Sequence, residues 1–249
     1  MRVSGMDNPP MVKPLRFPCY VIGLMSGTSA DGVDAAILYT DGRDIIEVGP
    51  TTSISYSDQL HQDILELMSG VGDMKAIQDE LTLVHIEAIE RLVSQHKEPI
   101  SLIGFHGQTI KHAPKQRITQ QIGNPKMIVQ KTGISVVADF RSNDVREGGQ
   151  GAPLVPLYHA AITKKIPKPL MVVNIGGVAN VTWLGPDNKI IAFDCGPGNA
   201  LMDDWFYRHT QNRFDEQGRV SARGRMDEKR VRDFLNNPFF KLPAPKSLD

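Results

Sequence analysis

The residues with the clearest chemistry lie at positions 26–34, where two glycines, three hydroxyl side chains and two carboxylates follow one another closely. Glycine lets the backbone bring its N–H groups close to a ligand, and successive N–H groups in a turn form a concavity that holds an anion such as phosphate. The carboxylates of Asp31 and Asp34 can hold Mg²⁺ directly or through water. The pattern predicts a nucleotide phosphate cradle, with a hairpin turn rich in turn-forming residues as the alternative.

A second glycine turn, formed by Gly176 and Gly177, repeats this plan between two further apolar stretches. Two copies of one strand–turn–strand unit indicate internal repetition. Two such turns on opposite sides of a cleft could hold the two ends of one polyphosphate. The first turn has no lysine, and the chain has no G-x-x-x-x-G-K-[ST] sequence, which excludes a Walker-type loop.

Asp194 is the third candidate, because it follows the apolar stretch 190–193 and precedes a predicted helix at residues 200–207. We expect it at the carboxyl end of a strand, where α/β sheets bind ligands, with free helix N–H groups behind it for an anion. A helix cap is the alternative role.

The sequence around Gly196 and Gly198 partly imitates a dinucleotide-binding fingerprint, although Leu201 stands where the third glycine belongs. Asp215 and Glu216 follow at about the distance of a ribose-binding acid. A dinucleotide-binding domain is therefore a further alternative.

The elements that must position these residues follow from hydrophobic periodicity. Strands are predicted on both sides of each glycine turn and at residues 45–56, 100–105, 134–140 and 190–193, and helices at residues 60–68, 77–92, 154–162 and 200–207. A meander followed by alternating strands and helices indicates an α/β layered fold. The charged, proline-containing stretch 164–169 is the predicted domain boundary.

The composition argues against several classes of partner. The 28 basic and 28 acidic side chains give a formal net charge of zero, so no strong field draws the chain to nucleic acid or an anionic membrane. The apolar stretch 20–25 is far shorter than the ~20 residues that span a bilayer. Residues 1–16 are predicted to be a flexible tail without a signal sequence. Cys19 and Cys195 are predicted to be reduced thiols, which fits the cytoplasm.

Seven segments, taken in order, resemble the anhydro-N-acetylmuramic acid kinase family. They lie at residues 23–34, 104–109, 121–125, 137–141, 148–156, 174–180 and 193–202. The resemblance implies the plan of the sugar kinase, actin and Hsp70 superfamily: two ribonuclease H-like (actin-like ATPase) α/β lobes, each a mixed sheet flanked by helices, with ATP between them. The first lobe is expected at residues 17–163 and the second, incomplete, at 170–249.

The resemblance also implies a reaction, in which water opens a 1,6-anhydro sugar ring and ATP phosphorylates O6, giving N-acetylmuramic acid 6-phosphate in peptidoglycan recycling. Asp194 is the implied base, and Mg²⁺ supports phosphoryl transfer, with Asp31 and Asp34 positioned to reach it through water. The residues implied in phosphate binding are Gly27, Thr28, Ser29, Ala30, Asp31, Gly32, Val33, Asp34, Gly176 and Gly177.

Six residues are expected to contact the sugar: His106, Gln108, Arg141, Gln150, Gly151 and Asn199. Arg141 could grip the lactyl carboxylate with a two-pronged bond, with an ion pair as the alternative. His106 has a purely structural role as its alternative.

Compared with the family pattern, the chain is expected to be truncated, lacking an adenosine-contacting segment and closing helices. One expectation is a working kinase that uses ATP and an amino sugar, and the other is a catalytically impaired, sugar-binding remnant. Missing packing partners would leave apolar faces exposed, which predicts aggregation or a homodimer.

Overall fold

The computed structural model describes residues 15–27 and 29–248. Two sequence predictions therefore fall outside the described residues: most of the tail at 1–16, and Thr28 in the first turn. The chain divides into two compact units. The first unit comprises Met1–Ile110 and Gln121–Asp139, and the second comprises Lys111–Gln120 and Phe140–Asp249.

The first unit is built on a mixed sheet that begins with an antiparallel meander. Strands β1 (Cys19–Ser26), β2 (Gly32–Thr40) and β3 (Ile45–Ser55) pair in sequence order. Strand β4 (Ile100–Ala113) then runs parallel to β1, with β5 (Ile118–Ile122) and the parallel strand β6 (Val136–Ala138) beside it. This is the mixed sheet that the sequence predicts.

Three helices flank this sheet: α1 (Asp58–Met68), α2 (Met74–Gln95) and α3 (Pro125–Thr132). The Ser57 and Asp73 side chains accept hydrogen bonds from backbone N–H groups in the first turns of α1 and α2, which satisfies donors that a helix start leaves open. Helix α2 packs on β2 and β3 and contacts α1 and α3. Its apolar side chains close a core with Ile22, Ile37 and Ile103.

The second unit has a small antiparallel sheet. Strands β7 (Leu170–Ile175), β8 (Val178–Leu184) and β9 (Ile190–Pro197) pair in that order. Its helices are α4 (Ser142–Arg146), α5 (Pro156–Ile162), α6 (Ala200–Thr210) and α7 (Glu228–Leu235). Because the glycines at 196 and 198 lie at the end of an antiparallel strand, and the dinucleotide fingerprint belongs to a parallel βαβ unit, the dinucleotide-binding alternative is wrong.

The contact-based division of the chain falls at Asp139–Phe140, whereas the sequence pattern placed the domain boundary at residues 164–169. Helix α5 packs on β8 and β9, which groups the segment before 164 with the second unit. The assignment of whole lobes to residues 17–163 and 170–249 stays a prediction.

Apolar side chains remain exposed in the second unit. Met171, Val173 and Ile175 are exposed along β7, and Leu201 and Trp205 are exposed on α6, Trp205 at 66%.

The described helices include none that is both long and apolar enough to cross a membrane.

Candidate functional site

The first glycine turn joins β1 to β2 and is closed by its own backbone. The Ala30 N–H donates to the Gly27 carbonyl at 3.1 Å, and Ala30 itself has a φ of 52°. The turn is tied to α1, because His61 Nδ1 donates to the Ala30 carbonyl at 2.7 Å. The ladder with β3 extends past the strand, since the Tyr56 N–H donates to the Asp31 carbonyl at 3.0 Å. The described residues of this turn are therefore held by hydrogen bonds to one another, to α1 and to the residue after β3.

The carboxylates of this turn differ in their surroundings. Asp34 lies on the exposed face of β2, where its Oδ1 accepts from the Ser53 hydroxyl at 2.5 Å, while Val33 beside it is buried. Asp31 is exposed and lies just before the strand. The alternation of side chains along a strand therefore fixes the direction of Asp34 but not that of Asp31, which lies outside β2.

Both carboxylates still offer the hard oxygen atoms that Mg²⁺ prefers, and Mg²⁺ commonly keeps several waters. Contact through water therefore fits the donor set. Within the described ranges, no group of three or more His, Cys, Asp or Glu side chains is placed to hold a metal ion.

His106 and Gln108 lie inside β4, whereas the apolar pattern predicted a strand that ends before them, at residue 105. His106 is 8% exposed and its Nδ1 donates to the Gly107 carbonyl at 2.7 Å. Gln108 is completely buried, with Oε1 accepting from Ser26 and Nε2 donating to two backbone carbonyls. Both the oxygen and the nitrogen of the Gln108 amide are thus hydrogen-bonded to other atoms of the protein.

Arg141 and Asp144 brace the loop between α4 and α5 from two sides. Arg141 Nη1 donates to the Gly151 carbonyl, and Asp144 Oδ2 accepts from the Gly151 N–H, both at 2.6 Å. Gly151 has a φ of 64° and its absent Cβ would lie 2.6 Å from Val145, so only glycine fits there without strain. Burial lowers the pKa of Arg141 from its ordinary value.

This braced loop lines a pocket of about 550 Å³ in the second unit. Gln150 and Gly151 contribute to the wall, together with Ile190 and Ala192 of β9. Gln150 is exposed and Gly151 is buried. Two of the predicted sugar contacts therefore share one cavity that has both apolar and polar walls.

The second glycine turn joins β7 to β8 and is packed closely against the start of α6. The carbonyl of Gly177 accepts from the Gly198 and Ala200 N–H groups at 2.9 and 3.4 Å, and the carbonyl of Gly176 accepts from the Asn199 N–H at 2.7 Å. Of these three donors only Ala200 belongs to α6, so the expectation of free N–H groups at the start of the helix is wrong for Ala200. The Asn199 side chain donates to the Ile175 carbonyl at 3.3 Å, so Asn199 joins the turn to the helix.

Asp194 lies within β9, opposite Asn180 of β8, whereas the sequence placed it at the carboxyl end of the strand, which the structure puts at Pro197. It is half-buried. The Leu248 N–H donates to Asp194 Oδ2 at 2.9 Å, and the Asp194 N–H donates to the Lys246 carbonyl at 3.0 Å. These two bonds tie Asp194 to the backbone of residues 246–248.

The sequence pattern placed Ser26 in the first turn but assigned no role to Tyr56 or Leu248, although Tyr56 bonds to Asp31 and Leu248 to Asp194. A polar residue at the end of an apolar strand was the available signal for Ser26 and Tyr56. Leu248 contributes only its backbone N–H, so its residue type could not predict this contact.

The sequence is similar to a family of known proteins. The sequence profile described as "Anhydro-N-acetylmuramic acid kinase" matches residues 19–249. Relatives of that name include one from Acidiphilium cryptum, 46% identical over 237 residues, and one from Rhodospirillum rubrum, 44% identical over 236 residues. Each match covers 92% of this chain and 65% or 63% of the relative, respectively, so the chain spans just under two thirds of their length.

Among solved structures, the chain is similar to the PPX-GPPA enzyme of Aquifex aeolicus, with 12% identity and a TM-score of 0.42 over 91% of this chain and 65% of that one. A likeness at that score carries no argument about fold or function.

Proposed function

This chain belongs to the anhydro-N-acetylmuramic acid kinase family, and from that membership we propose that it phosphorylates 1,6-anhydro-N-acetylmuramic acid with ATP while water opens the anhydro ring. The product is N-acetylmuramic acid 6-phosphate, which enters peptidoglycan recycling. The observation that carries the proposal is the family match over residues 19–249, which includes both glycine turns and Asp194.

Asp194 is the proposed base that takes a proton from the attacking water. A carboxylate suits this step because it can accept the proton and remain beside a sugar carbon that becomes cationic. The Leu248 N–H at Asp194 Oδ2 supports the proposal, since it orients the carboxylate.

The two glycine turns are the proposed contacts for the phosphates of ATP. The closed form of the first turn, with Ala30 bonded back to Gly27, supports a preformed cradle that costs little ordering on binding. Mg²⁺, when bound, would neutralise charge on the transferring phosphoryl group, and Asp31 and Asp34 are the proposed carboxylates that reach it through water.

The pocket beside the 148–154 loop is the proposed sugar site in the second unit, with Gln150 and Gly151 as candidate contacts. Asn199, which lies at the second glycine turn, stays a proposed sugar contact outside this pocket. For Arg141, the bond to the Gly151 carbonyl supports a role in shaping this loop, and contact with the lactyl carboxylate stays a proposal. His106 stays a proposed contact.

The proposed reaction consumes ATP, so we assign the protein to the cytoplasm. The exposed apolar side chains of β7 and α6 support a further proposal, that copies of the chain associate as a homodimer. Sedimentation velocity tests it: Trp205→Glu should shift a concentration-dependent dimer to monomer, and an unchanged distribution would contradict it.

The experiment that tests the function is an assay of ADP release by the purified chain with Mg-ATP and the anhydro sugar. We expect ADP and a sugar 6-phosphate in equal amounts, and no ADP when N-acetylmuramic acid, which lacks the anhydro bond, replaces the substrate. Sugar-dependent thermal stabilisation without ADP would instead identify a sugar-binding remnant and overturn the proposal.

A further inference from the structure

A chain of buried hydrogen bonds in the first unit leads from Tyr56 to the first glycine turn. The Tyr56 hydroxyl donates to Ser26 Oγ at 3.0 Å, the Ser26 hydroxyl lies 2.5 Å from Gln108 Oε1, and Gln108 Nε2 donates to the Gly27 carbonyl at 3.0 Å. The three side chains are 4%, 1% and 0% exposed. Buried polar groups are costly unless they are bonded, so this chain is an ordered part of the fold.

The orientation of the Gln108 amide follows from its surroundings. Its Nε2 faces the carbonyls of Gly27 and Thr109 at 3.0 and 3.2 Å, and a carbonyl only accepts. The reversed amide would set Oε1 against both carbonyls and leave Ser26 facing a donor. One arrangement therefore satisfies every polar atom of the side chain.

The same network holds the Gly27 end of the turn. Gln108 Nε2 donates to the Gly27 carbonyl, to which the Ala30 N–H also donates. Ser26 Oγ also lies 2.9 Å from the Gly32 carbonyl oxygen, but its single hydroxyl proton is donated to Gln108 Oε1. The turn is thus held from the buried side through Gly27.

We propose that Gln108 is a positioning residue which, through Ser26 and Tyr56, fixes the shape of the first glycine turn for a nucleotide polyphosphate. This replaces the sugar contact that the sequence suggested for Gln108, and its consequence for nucleotide binding rests on the proposed function. The three side chains come from β4, from the end of β1 and from the residue after β3, so the network also joins three strands behind the turn.

The test compares Gln108→Met with Thr82→Val. Methionine keeps the approximate shape of glutamine and removes its donors and acceptor. Thr82 is equally buried in the same unit, but its hydroxyl bonds to the Gln78 carbonyl and the Asn124 N–H, away from the turn. Both variants lose buried hydrogen bonds, and only Gln108→Met should release the turn.

The first measurement is hydrogen exchange of the Ala30 amide, which needs no activity. We expect exchange at least about tenfold faster in Gln108→Met than in Thr82→Val, since an amide freed by local opening exchanges ahead of the core. Tyr56→Phe should give a smaller increase, because Ser26 remains to hold Gln108. An Ala30 rate in Gln108→Met equal to that of Thr82→Val would overturn the proposal.

The second measurement separates positioning from a general loss of stability. Gln108→Met should raise the KM for ATP by about tenfold, the effect of one or two misplaced hydrogen bonds, with the KM for the sugar and kcat within about twofold. A rise confined to the KM for the sugar would show that Gln108 contacts substrate and would overturn the proposal. If the wild-type chain releases no sugar-dependent ADP, the proposed function fails, and the Ala30 exchange alone decides the positioning role.

Discussion

At the scale of single residues, Asp194 depends on a backbone donor that is distant in sequence. Its carboxylate accepts from the Leu248 N–H, and its own N–H is bonded to the Lys246 carbonyl. These two bonds align residues 246–248 with β9 and hold the side chain in one orientation. A base needs that fixed orientation, because proton transfer depends on geometry before it depends on pKa.

Replacing Asp194 with Asn should lower kcat by about 10²–10⁴-fold, the range for losing a general base, while the affinity for the sugar is kept. The asparagine oxygen can still accept from Leu248, so the local fold is preserved. Initial-rate kinetics and calorimetric sugar binding measure the two effects. Asp204→Asn, an equal charge change on the exposed part of α6, is the control, and full turnover in Asp194→Asn would assign the base elsewhere.

His85 makes the stability of the first unit depend on pH. It is fully buried, its Nδ1 donates to the Leu81 carbonyl, and its ring lies edge-on to Phe105. Burial lowers the pKa of His85 from 6.5 to about 4, and the neighbouring His106 adds to this. As the pH falls, His85 is therefore protonated in the unfolded chain at a higher pH than in the folded chain.

Above pH 6.5 we expect His85 to leave the free energy of unfolding unchanged. Between pH 6.5 and pH 4 the free energy of unfolding should fall by up to about 3 kcal/mol. Urea unfolding across that range measures it. His85→Leu removes the titrating group, so its stability should fall less steeply than that of the wild type. Parallel curves for the two proteins would show that His85 does not contribute.

Residue types alone indicated where chemistry could occur but not what each side chain touches. The turn at 26–34 and Asp194 could be selected because glycine, hydroxyl and carboxylate groups cluster there. Arg141 and Gln108 could not be assigned, since both use their donors on backbone carbonyls, and such partners depend on how the chain folds around them.

At the scale of elements, the second glycine turn is defined by how closely it approaches the start of α6. A Cβ on Gly198 would lie 2.0 Å from the Gly176 carbonyl oxygen, which is well inside contact distance. The approach allows the Gly198 and Asn199 N–H groups to bond to the turn. Turn and helix therefore form one rigid corner.

Gly198→Ala should force this corner apart and lower the free energy of unfolding by about 1–3 kcal/mol, as overpacking does. Gly177→Ala is the matched comparison, because its Cβ would meet only the Ala200 Cβ at 3.6 Å, an ordinary contact. Thermal or urea unfolding of both variants measures the difference. Equal losses in the two variants would mean that the close approach is not what constrains Gly198.

The elements with strong periodicity were predictable, and those defined by pairing were not. Helix α2 and strands β1 to β3 follow from apolar spacing that one buried face requires. Strand β4 continues through His106 and Gln108 to Ala113, and β5 pairs beside it. Polar residues make these strands hard to recognise in the sequence, because the strands are stabilised by pairing with a neighbouring strand and not by a local apolar pattern.

At the scale of the whole molecule, the proposed function follows from the family match across residues 19–249 in a chain that spans about 65% of a relative's length. Its two compact units carry the two glycine turns separately, the first in unit one and the second, with Asp194, in unit two. The central claim is that this chain couples ring opening by water to phosphoryl transfer from ATP.

The most direct test is to run the reaction in ¹⁸O-labelled water and weigh the products by mass spectrometry. If water attacks the sugar carbon, one ¹⁸O appears in the sugar 6-phosphate and none in inorganic phosphate; unlabelled product kept in the same water for the same time corrects for exchange at the anomeric carbon. Label in inorganic phosphate, with the anhydro sugar unchanged, would show simple ATP hydrolysis and contradict the account.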